Sequence, residues 1–344
     1  MSESRALHLL GGLALLLATT SCLEREEELR VEADGSVQVV HTIRGQGADI
    51  DGGEAGVPSG RDYTITRTVE NAGTDDEKDD EKTILVATAR YASVAALPDR
   101  FEDPSAEHSE ASLRFPTELR IVEEADGRHF ILTRRYLPRE WARFDLHHRR
   151  AFPTEMKERL ERQPPEELTD LERREVLSAF AEFERGKWEE WLRDAVVATF
   201  PAEGRPLLAF HAGRAALVRH FAEHASPEQL EALLATSPEE IERASREFER
   251  ALDHALLEAV AGVDPDGLGE PSRERFLAAL AGARRSTHVT EDLGDETFIV
   301  RVRLPGRVIA HNADGIEDGF AVWIFDGQDL RDREQRIELH TVSP

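Results

Sequence analysis

The period of the hydrophobic pattern changes twice along this chain, and this change constrains the fold more than any other feature. Residues 22–137 alternate apolar and polar side chains, as strands do, whereas residues 138–286 repeat apolar side chains every three or four positions, as helices do. The alternation returns in residues 287–344. This order predicts an α+β fold. We expect one β-rich domain formed by 22–137 and 287–344, with 138–286 inserted as a helical domain.

Local signals mark where individual elements begin and end. Asp34-Gly35 interrupts the first alternating stretch and predicts a β-hairpin. In the helical block, Ser237 is followed by Pro238 and, three residues after the serine, by Glu240. This combination predicts a helix start with a capping box and proline in the first turn. The same kind of start signal occurs at Ser226.

A short apolar run near the N-terminus ends at the only cysteine of the chain, Cys22. The run from Leu9 to Ala18 follows a short polar stretch with one arginine and precedes the small residues 19–21. This is the layout of a secretory signal peptide, and the run is shorter than the ~20 residues that a spanning helix needs. The pattern predicts that residues 1–21 are a signal peptide.

The residues around Cys22 resemble a bacterial lipobox. The resemblance implies cleavage between Ser21 and Cys22, a diacylglyceryl group on the Cys22 thiol, and acylation of the new amino group. Thr19 stands where most lipoboxes carry leucine. Leu23 rather than aspartate follows the cysteine, and similarity to sorted lipoproteins then indicates the outer membrane. Two or three acyl chains hold a protein stably on a membrane, where one chain does not.

The charge of the chain limits its partners. The formal net charge is −26 at pH 7, and removal of residues 1–21 takes away one glutamate and one arginine, which leaves this value unchanged. Nucleic-acid binding needs a basic surface, so we expect no nucleic-acid partner. Attachment to anionic lipid through charge is equally disfavoured. The acyl chains are therefore expected to provide the membrane attachment.

Both chain ends resemble LppM-type envelope lipoproteins. The start reads C-L-x-x-E-x-x-L-x-V-x-x-D-G-S-V from Cys22 to Val37. The tail LPGRVIAHNADGIEDGFAVWIF carries the matching positions Leu304, Pro305, Gly306, Asn312, Gly319 and Trp323. The resemblance implies an α+β lipoprotein ectodomain that acts in the cell envelope and has no established catalytic residues. The resemblance does not extend to the block 138–286, so the partners of that block are not implied by it.

One motif has the spacing of a catalytic metal site. HFAEH at 220–224 matches H-x-x-E-H and places His220 and His224 one helical turn apart, where both imidazoles can bind one zinc ion. Glu223 is then positioned to activate a water molecule, as in inverzincin metalloproteases. A third protein ligand is needed, and the sequence does not select among Glu240, Glu247 and Glu249. The other interpretation is a helix end, where histidines interact favourably with the helix dipole and need no metal.

Two acidic stretches have simpler interpretations than calcium sites. Residues 73–82, GTDDEKDDEK, and residues 264–270, DPDGLGE, both lack the ligand spacing of an EF-hand loop. We expect the first to be a solvated hairpin tip and the second to be a capping turn.

The remaining candidates do not indicate an enzyme. His147 and His148 lie among arginines and predict an exposed helix face, while Trp188 and Trp191 predict core packing. No G-x-S-x-G, Walker A or dinucleotide-binding motif occurs. The sequence therefore favours a lipid-anchored, non-enzymatic envelope protein without a cofactor that binds a protein, lipid or glycan at the membrane surface. The alternative is a zinc-dependent hydrolase that uses the motif at 220–224.

Overall fold

The computed structural model describes residues 23–47, 50, 56–58, 63–71, 81–101, 111–163, 167–200, 206–263 and 270–344. These residues contain 11 strands and 7 helices, with sheets built from both chain ends and helices in the middle. The predicted α+β class is confirmed. The described residues divide into two compact units, one made of 23–140 with 288–344 and the other of 141–287.

The β-rich unit contains two sheets. Its strands in chain order are β1 Glu24–Val31, β2 Val37–Gln46, β3 Thr64–Asn71, β4 Glu81–Tyr91, β5 Thr117–Glu124, β6 Gly127–Tyr136, β7 Thr297–Arg303, β8 Arg307–His311, β9 Gly315–Glu317, β10 Phe320–Asp326 and β11 Gln335–Ser343. Within the described residues, the larger sheet has seven strands in the order β3-β4-β2-β1-β7-β10-β9. The smaller sheet has four strands in the order β5-β6-β11-β8.

Pairing between distant strands joins the two chain ends into one unit. β1 pairs with β2 in antiparallel fashion through the predicted hairpin, and with β7 in parallel fashion, with Leu29 opposite Val302. In the smaller sheet, β6 pairs with β11, with Leu132 opposite Leu339. Each sheet therefore contains strands from both sides of the helical block, so neither chain end completes a sheet without the other.

The inner faces of the two sheets share one hydrophobic core. β1 alternates strictly between half-buried and buried positions, and Leu29 is fully buried. The same core contains Val39 and Val300 from the larger sheet and Phe130 and Leu132 from the smaller sheet. Full burial of one such aliphatic or aromatic side chain contributes about 1.5–3 kcal/mol. The two sheets therefore pack face to face. The apolar residues that alternate along the sequence are those on the inner faces.

The helical unit begins with a helix after β6 and continues into a long final helix. Its helices are α1 Ala142–Ala151, α2 Thr154–Arg162, α3 Asp170–Thr199, α4 Pro206–His224, α5 Pro227–Leu234, α6 Pro238–Ala261 and α7 Glu270–Asp292, and the division between the units falls inside α7 after Thr287. Ser226 and Ser237 each accept a hydrogen bond from the backbone three residues later and complete capping boxes. The helix starts predicted there are confirmed.

The core of the helical unit is centred on the long helix α3. Trp191, Leu192 and Ala195 are buried together with Leu217 of α4 and Leu256 of α6. Trp188 and Trp191 are both 2% exposed, so the predicted core packing is confirmed. The indole Nε1 of Trp191 donates a hydrogen bond of 2.8 Å to Thr287 Oγ1, which satisfies its polar atom inside this core. Within the described residues, no helix combines the length and the apolar character needed to cross a bilayer.

Candidate functional site

Two charged side chains stand on the inward face of β1, where the alternation predicts apolar ones. Arg25 and Glu27 are each 6% exposed and belong to the same buried series as Leu29 and Val31. Charged groups are rarely buried unless they are paired and hydrogen-bonded. The surroundings of Arg25 and Glu27 are therefore the first candidate for a site inside the β-rich unit.

Glu27 is bound by two side chains of the facing strand β6. Arg134 Nη2 donates to Glu27 Oε1 at 2.7 Å, and the Tyr136 hydroxyl donates to Glu27 Oε2 at 2.7 Å. Arg134 also donates from Nη1 to Thr117 Oγ1 at 2.8 Å. Its guanidinium carbon lies 4.4 Å from the centre of the Phe115 ring, a cation–π distance. These contacts connect the two sheets through a buried ion pair.

A second buried ion pair lies beside the first. Both nitrogens of one edge of the Arg25 guanidinium donate to the carboxylate of Glu296, with Nη2 2.9 Å from Oε1. Glu296 is 1% exposed and directly precedes β7. The remaining Arg25 Nη1 donates to the backbone oxygen of Gly56 at 2.8 Å. The two-pronged geometry orients both side chains as well as neutralising their charges.

His41 of β2 completes the cluster and is neutral at pH 7. Its Nε2 lies 3.4 Å from the Tyr63 hydroxyl and 3.5 Å from Glu27 Oε1. Burial lowers the pKa of His41 to about 4, and the positive charges of Arg134 and Arg25 act in the same direction against the raising effect of Glu27. Burial raises the pKa of Tyr63, so its phenol also stays uncharged.

The space between these side chains is too small for an organic ligand. A cavity of about 10 Å³ is lined by Arg25, Glu27, His41, Phe101 and Tyr136 among others. About 10–15 Å³ suffices for one water molecule, whereas ligand pockets measure roughly 300–1,000 Å³. The charged groups of the cluster are directed at one another. We therefore interpret this cluster as a structural link between the two sheets.

The predicted H-x-x-E-H motif occupies the last turn of α4. His220 is 8% exposed and His224 is exposed, and their ring centres are 4.6 Å apart. The Nε2 atom of His220 is buried and has no hydrogen-bond partner among the described residues. Burial lowers the pKa of His220, and the adjacent His224 acts in the same direction, against the raising effects of a hydrogen bond to the Phe248 backbone and of Glu223. The structure thus brings the two histidines together, as the spacing predicted.

The third zinc ligand that a hydrolase requires is not found in the described part of the chain. There, the histidines of α4 belong to no group of three potential ligand atoms that all lie within 4.8 Å of one another. The glutamates nominated from the sequence, Glu240, Glu247 and Glu249, therefore do not complete a site. Glu223 is exposed, and its Oε2 lies 4.0 Å from His224 Nε2. Among the described residues the arrangement provides two imidazoles, whereas a catalytic zinc site has three protein ligands.

A group of potential ligands that the sequence did not indicate lies at the β5–β6 turn. It consists of Glu124, Asp126 and His129. His129 Nε2 lies 2.8 Å from Asp126 Oδ1, and His129 Nδ1 lies 3.0 Å from His340 Nε2. Both ring nitrogens of His129 therefore already have protein partners, and the two carboxylates are exposed. Hydrogen bonding accounts for this group without a metal ion.

The exposed helix face predicted for His147 and His148 is wrong. The His147 side chain is 17% exposed, and its Nε2 lies 2.9 Å from Glu190 Oε1 on α3. The His148 ring packs edge-on against Phe183, with ring centres 5.2 Å apart. A Cβ atom at Gly186 would clash with the His147 ring, so the glycine allows α1 to approach α3 closely. The arginine-rich sequence concealed this contact because it depends on packing between helices.

Several predicted features lie outside the described residues. These are the signal peptide 1–21 with Cys22, the first eight positions of the acidic stretch 73–82, and residues 264–269 of the second acidic stretch. The last two residues of the first stretch, Glu81 and Lys82, belong to β4.

The sequence itself contains a signal for the cluster of Arg25 and Glu27. Both charges fall at inward positions of an alternating strand, which is unusual for unpaired charges. Their partners Arg134 and Glu296 are remote in the chain and are identified only by the fold.

Comparison of this chain with family models, with curated proteins and with solved structures finds no match. Its function is therefore inferred from its own residues and contacts.

Proposed function

We propose that this protein is a lipid-anchored envelope lipoprotein of the LppM type that binds a protein, lipid or glycan at the membrane surface and catalyses no reaction. The observation that carries the proposal is the burial of the residue that directly follows Cys22. Leu23, the residue after Cys22, is 6% exposed and belongs to the core of the β-rich unit. Its carbonyl accepts a hydrogen bond of 2.9 Å from the Thr297 backbone N–H.

The cleavage that the lipobox resemblance implies is compatible with the described strands. β1 starts at Glu24, two residues after Cys22, and lies between β2 and β7 in the larger sheet. Cleavage between Ser21 and Cys22 leaves every described strand intact. The acyl chains are then joined to the core of the β-rich unit without a linker. Each buried CH₂ of those chains contributes about 0.8 kcal/mol to membrane binding.

The tail residues that carry the LppM resemblance have structural roles, which supports a relationship through the fold. Asn312 Oδ1 accepts hydrogen bonds from Trp323 Nε1 at 2.9 Å and from the Glu338 backbone N–H at 2.8 Å. Asn312 Nδ2 donates to the Arg336 carbonyl at 2.6 Å. The asparagine thereby connects β10 of the larger sheet to β11 of the smaller sheet.

The acidity of the chain and the internal pairing of its buried charges support a binding role. The net charge of −26 disfavours nucleic acids as partners and leaves membrane attachment to the acyl chains. Leu23 rather than aspartate after Cys22 supports the outer membrane. Two buried ion pairs of the β-rich unit, Arg134 with Glu27 and Arg25 with Glu296, are formed within the unit. A binding function needs only the exposed surfaces and makes no demand on these groups.

The anchor is tested by Cys22→Ser. We expect this variant to lose labelling by a fatty-acid analogue and to move from the membrane fraction to the soluble fraction, because the thiol that carries the lipid is gone. Ser21→Ala is the matched control, since it keeps a small residue at the cleavage site and should remain labelled. Equal membrane retention of Cys22→Ser and the unchanged protein would contradict the anchor. A chelator-sensitive hydrolase activity of the purified protein would contradict the non-enzymatic role.

A further inference from the structure

The buried Nε2 atom of His220 lacks a partner that such an atom normally has. His220 is 8% exposed, and its Nε2 atom makes no hydrogen bond to any described residue. The large majority of buried side-chain polar atoms in folded proteins are hydrogen-bonded, and leaving one unsatisfied costs about 1–3 kcal/mol. A ligand that binds this nitrogen would remove the cost of leaving it without a hydrogen bond.

A second imidazole stands next to that nitrogen. His224 follows His220 by one helical turn on the same side of α4, and the two ring centres are 4.6 Å apart with 54° between the ring planes. The His224 side chain is 53% exposed, so solvent reaches this histidine, whereas His220 Nε2 is buried. One histidine is thus held inside the helical unit while the other is open to an incoming ion.

The buried ring is held in place by aromatic packing. The Phe248 ring of α6 lies 4.7 Å from the His220 ring, centre to centre, and 5.2 Å from that of Phe221. Phe248 is therefore fixed between two residues of α4. A metal ligand whose side chain is already immobilised by packing loses less conformational freedom on binding than an exposed histidine does.

From this geometry we propose that His220 and His224 bind one divalent transition-metal ion per chain through their imidazole nitrogens. Imidazole ligands suit Cu²⁺, Ni²⁺ and Zn²⁺, and Cu²⁺ is expected to bind most tightly. The Glu223 carboxylate, 4.0 Å from His224 Nε2, adds negative charge beside the site. With two protein ligands, the other coordination positions belong to solvent, so binding is reversible. This site is independent of the proposed anchor and differs from a hydrolase centre, which needs three protein ligands.

The test is a calorimetric titration with Cu²⁺ of the purified protein, prepared without a polyhistidine tag. We expect one saturable ion per chain and nitrogen hyperfine splitting in the electron paramagnetic resonance spectrum. His224→Ala and His220→Phe should each weaken this binding by more than about tenfold, the loss that even outer-shell partners of a metal produce. His220→Phe keeps a buried ring of similar size, and His224→Ala changes an exposed residue, so both variants are expected to fold.

Two control variants separate this site from other histidines. His211 is exposed on the same helix, and His129 lies in the hydrogen-bonded group at the β5–β6 turn. His211→Ala and His129→Ala should leave the Cu²⁺ affinity unchanged. The proposal is overturned if the protein binds no saturable ion, or if binding persists in both His220→Phe and His224→Ala. It is also overturned if a control variant abolishes the binding.

Discussion

At the scale of single residues, the β-rich unit tolerates buried charge because every charge in its cluster has a matched partner. Arg134 and Glu27 are 2% and 6% exposed, respectively, and lie 2.7 Å apart. Removing one member of such a pair typically destabilises a protein by about 3–5 kcal/mol, while replacing both by apolar residues is often neutral. Loss of one partner is therefore expected to cost far more stability than replacement of the whole pair.

His41 predicts a stability that depends on pH. Its pKa is about 4 in the folded protein and near the ordinary histidine value of 6.5 when unfolded. Between these values the unfolded chain binds a proton that the folded chain does not, so stability falls as the pH falls from about 6.5 to 4. The loss attributable to this residue is about 3 kcal/mol over that window. Denaturant unfolding at a series of pH values measures it.

The variant His41→Phe isolates this contribution. Phenylalanine keeps an aromatic ring beside Tyr63 and Phe101 but cannot take up a proton. We expect its free energy of unfolding to vary less between pH 6.5 and 4 than that of the unchanged protein. His254→Gln, at an exposed position of α6, is the control and should keep the original pH dependence. Identical slopes for His41→Phe and the unchanged protein would contradict the prediction.

At the scale of elements, the connection from β7 to β8 decides how the chain passes from one sheet to the other. Gly306 has φ +90, a left-handed conformation that favours glycine. A Cβ atom there would clash with the backbone of Val342 in β11. The Thr341 hydroxyl also donates to the carbonyl of Pro305 at 2.6 Å. This turn is therefore packed directly against the strand next to β8.

We predict that Gly306→Ala lowers the free energy of unfolding by at least about 2 kcal/mol, since it combines a strained φ with a backbone clash. Thermal or denaturant unfolding measures the change. Gly315→Ala is the matched control, because nothing lies within 4 Å of a Cβ atom at that position. A change within about 0.5 kcal/mol is expected there. Equal stability of the two variants would show that the turn does not constrain the fold.

At the scale of the whole molecule, the inserted helical block predicts that the β-rich unit folds without it. Residues 141–287 form one compact unit with its own hydrophobic clusters, and both sheets are built from the remaining residues. Replacing 141–287 by a short Gly/Ser linker should leave a folded β-rich protein, since an inserted domain joins its host through few crossings. Circular dichroism should show strand signal and a cooperative melting transition.

The full-length chain, measured beside the shortened protein, provides the comparison. Loss of the helical signal with retention of a cooperative transition is the expected result. A shortened protein with no cooperative melting would mean that the sheets need the helices for stability. In that case the two compact units would not be independent folding units.

The sequence alone determined the class of the fold and the start of several elements. Alternation in β1 and the capping residues Ser226 and Ser237 act over two to four positions, so they can be read without knowing the fold. The spacing of His220 and His224 likewise placed two imidazoles on one side of a helix. These features are local consequences of strand and helix geometry.

The tertiary structure alone decided which charges meet and which polar atoms lack a partner. Arg134 is separated from Glu27 by 107 positions and Glu296 from Arg25 by 271, so no local period indicates these ion pairs. The burial of His220 Nε2 depends on packing against α6 rather than on spacing within α4. The physical reason is that burial and charge pairing depend on contacts between distant segments, whereas periodicity reports only which side of an element a residue faces.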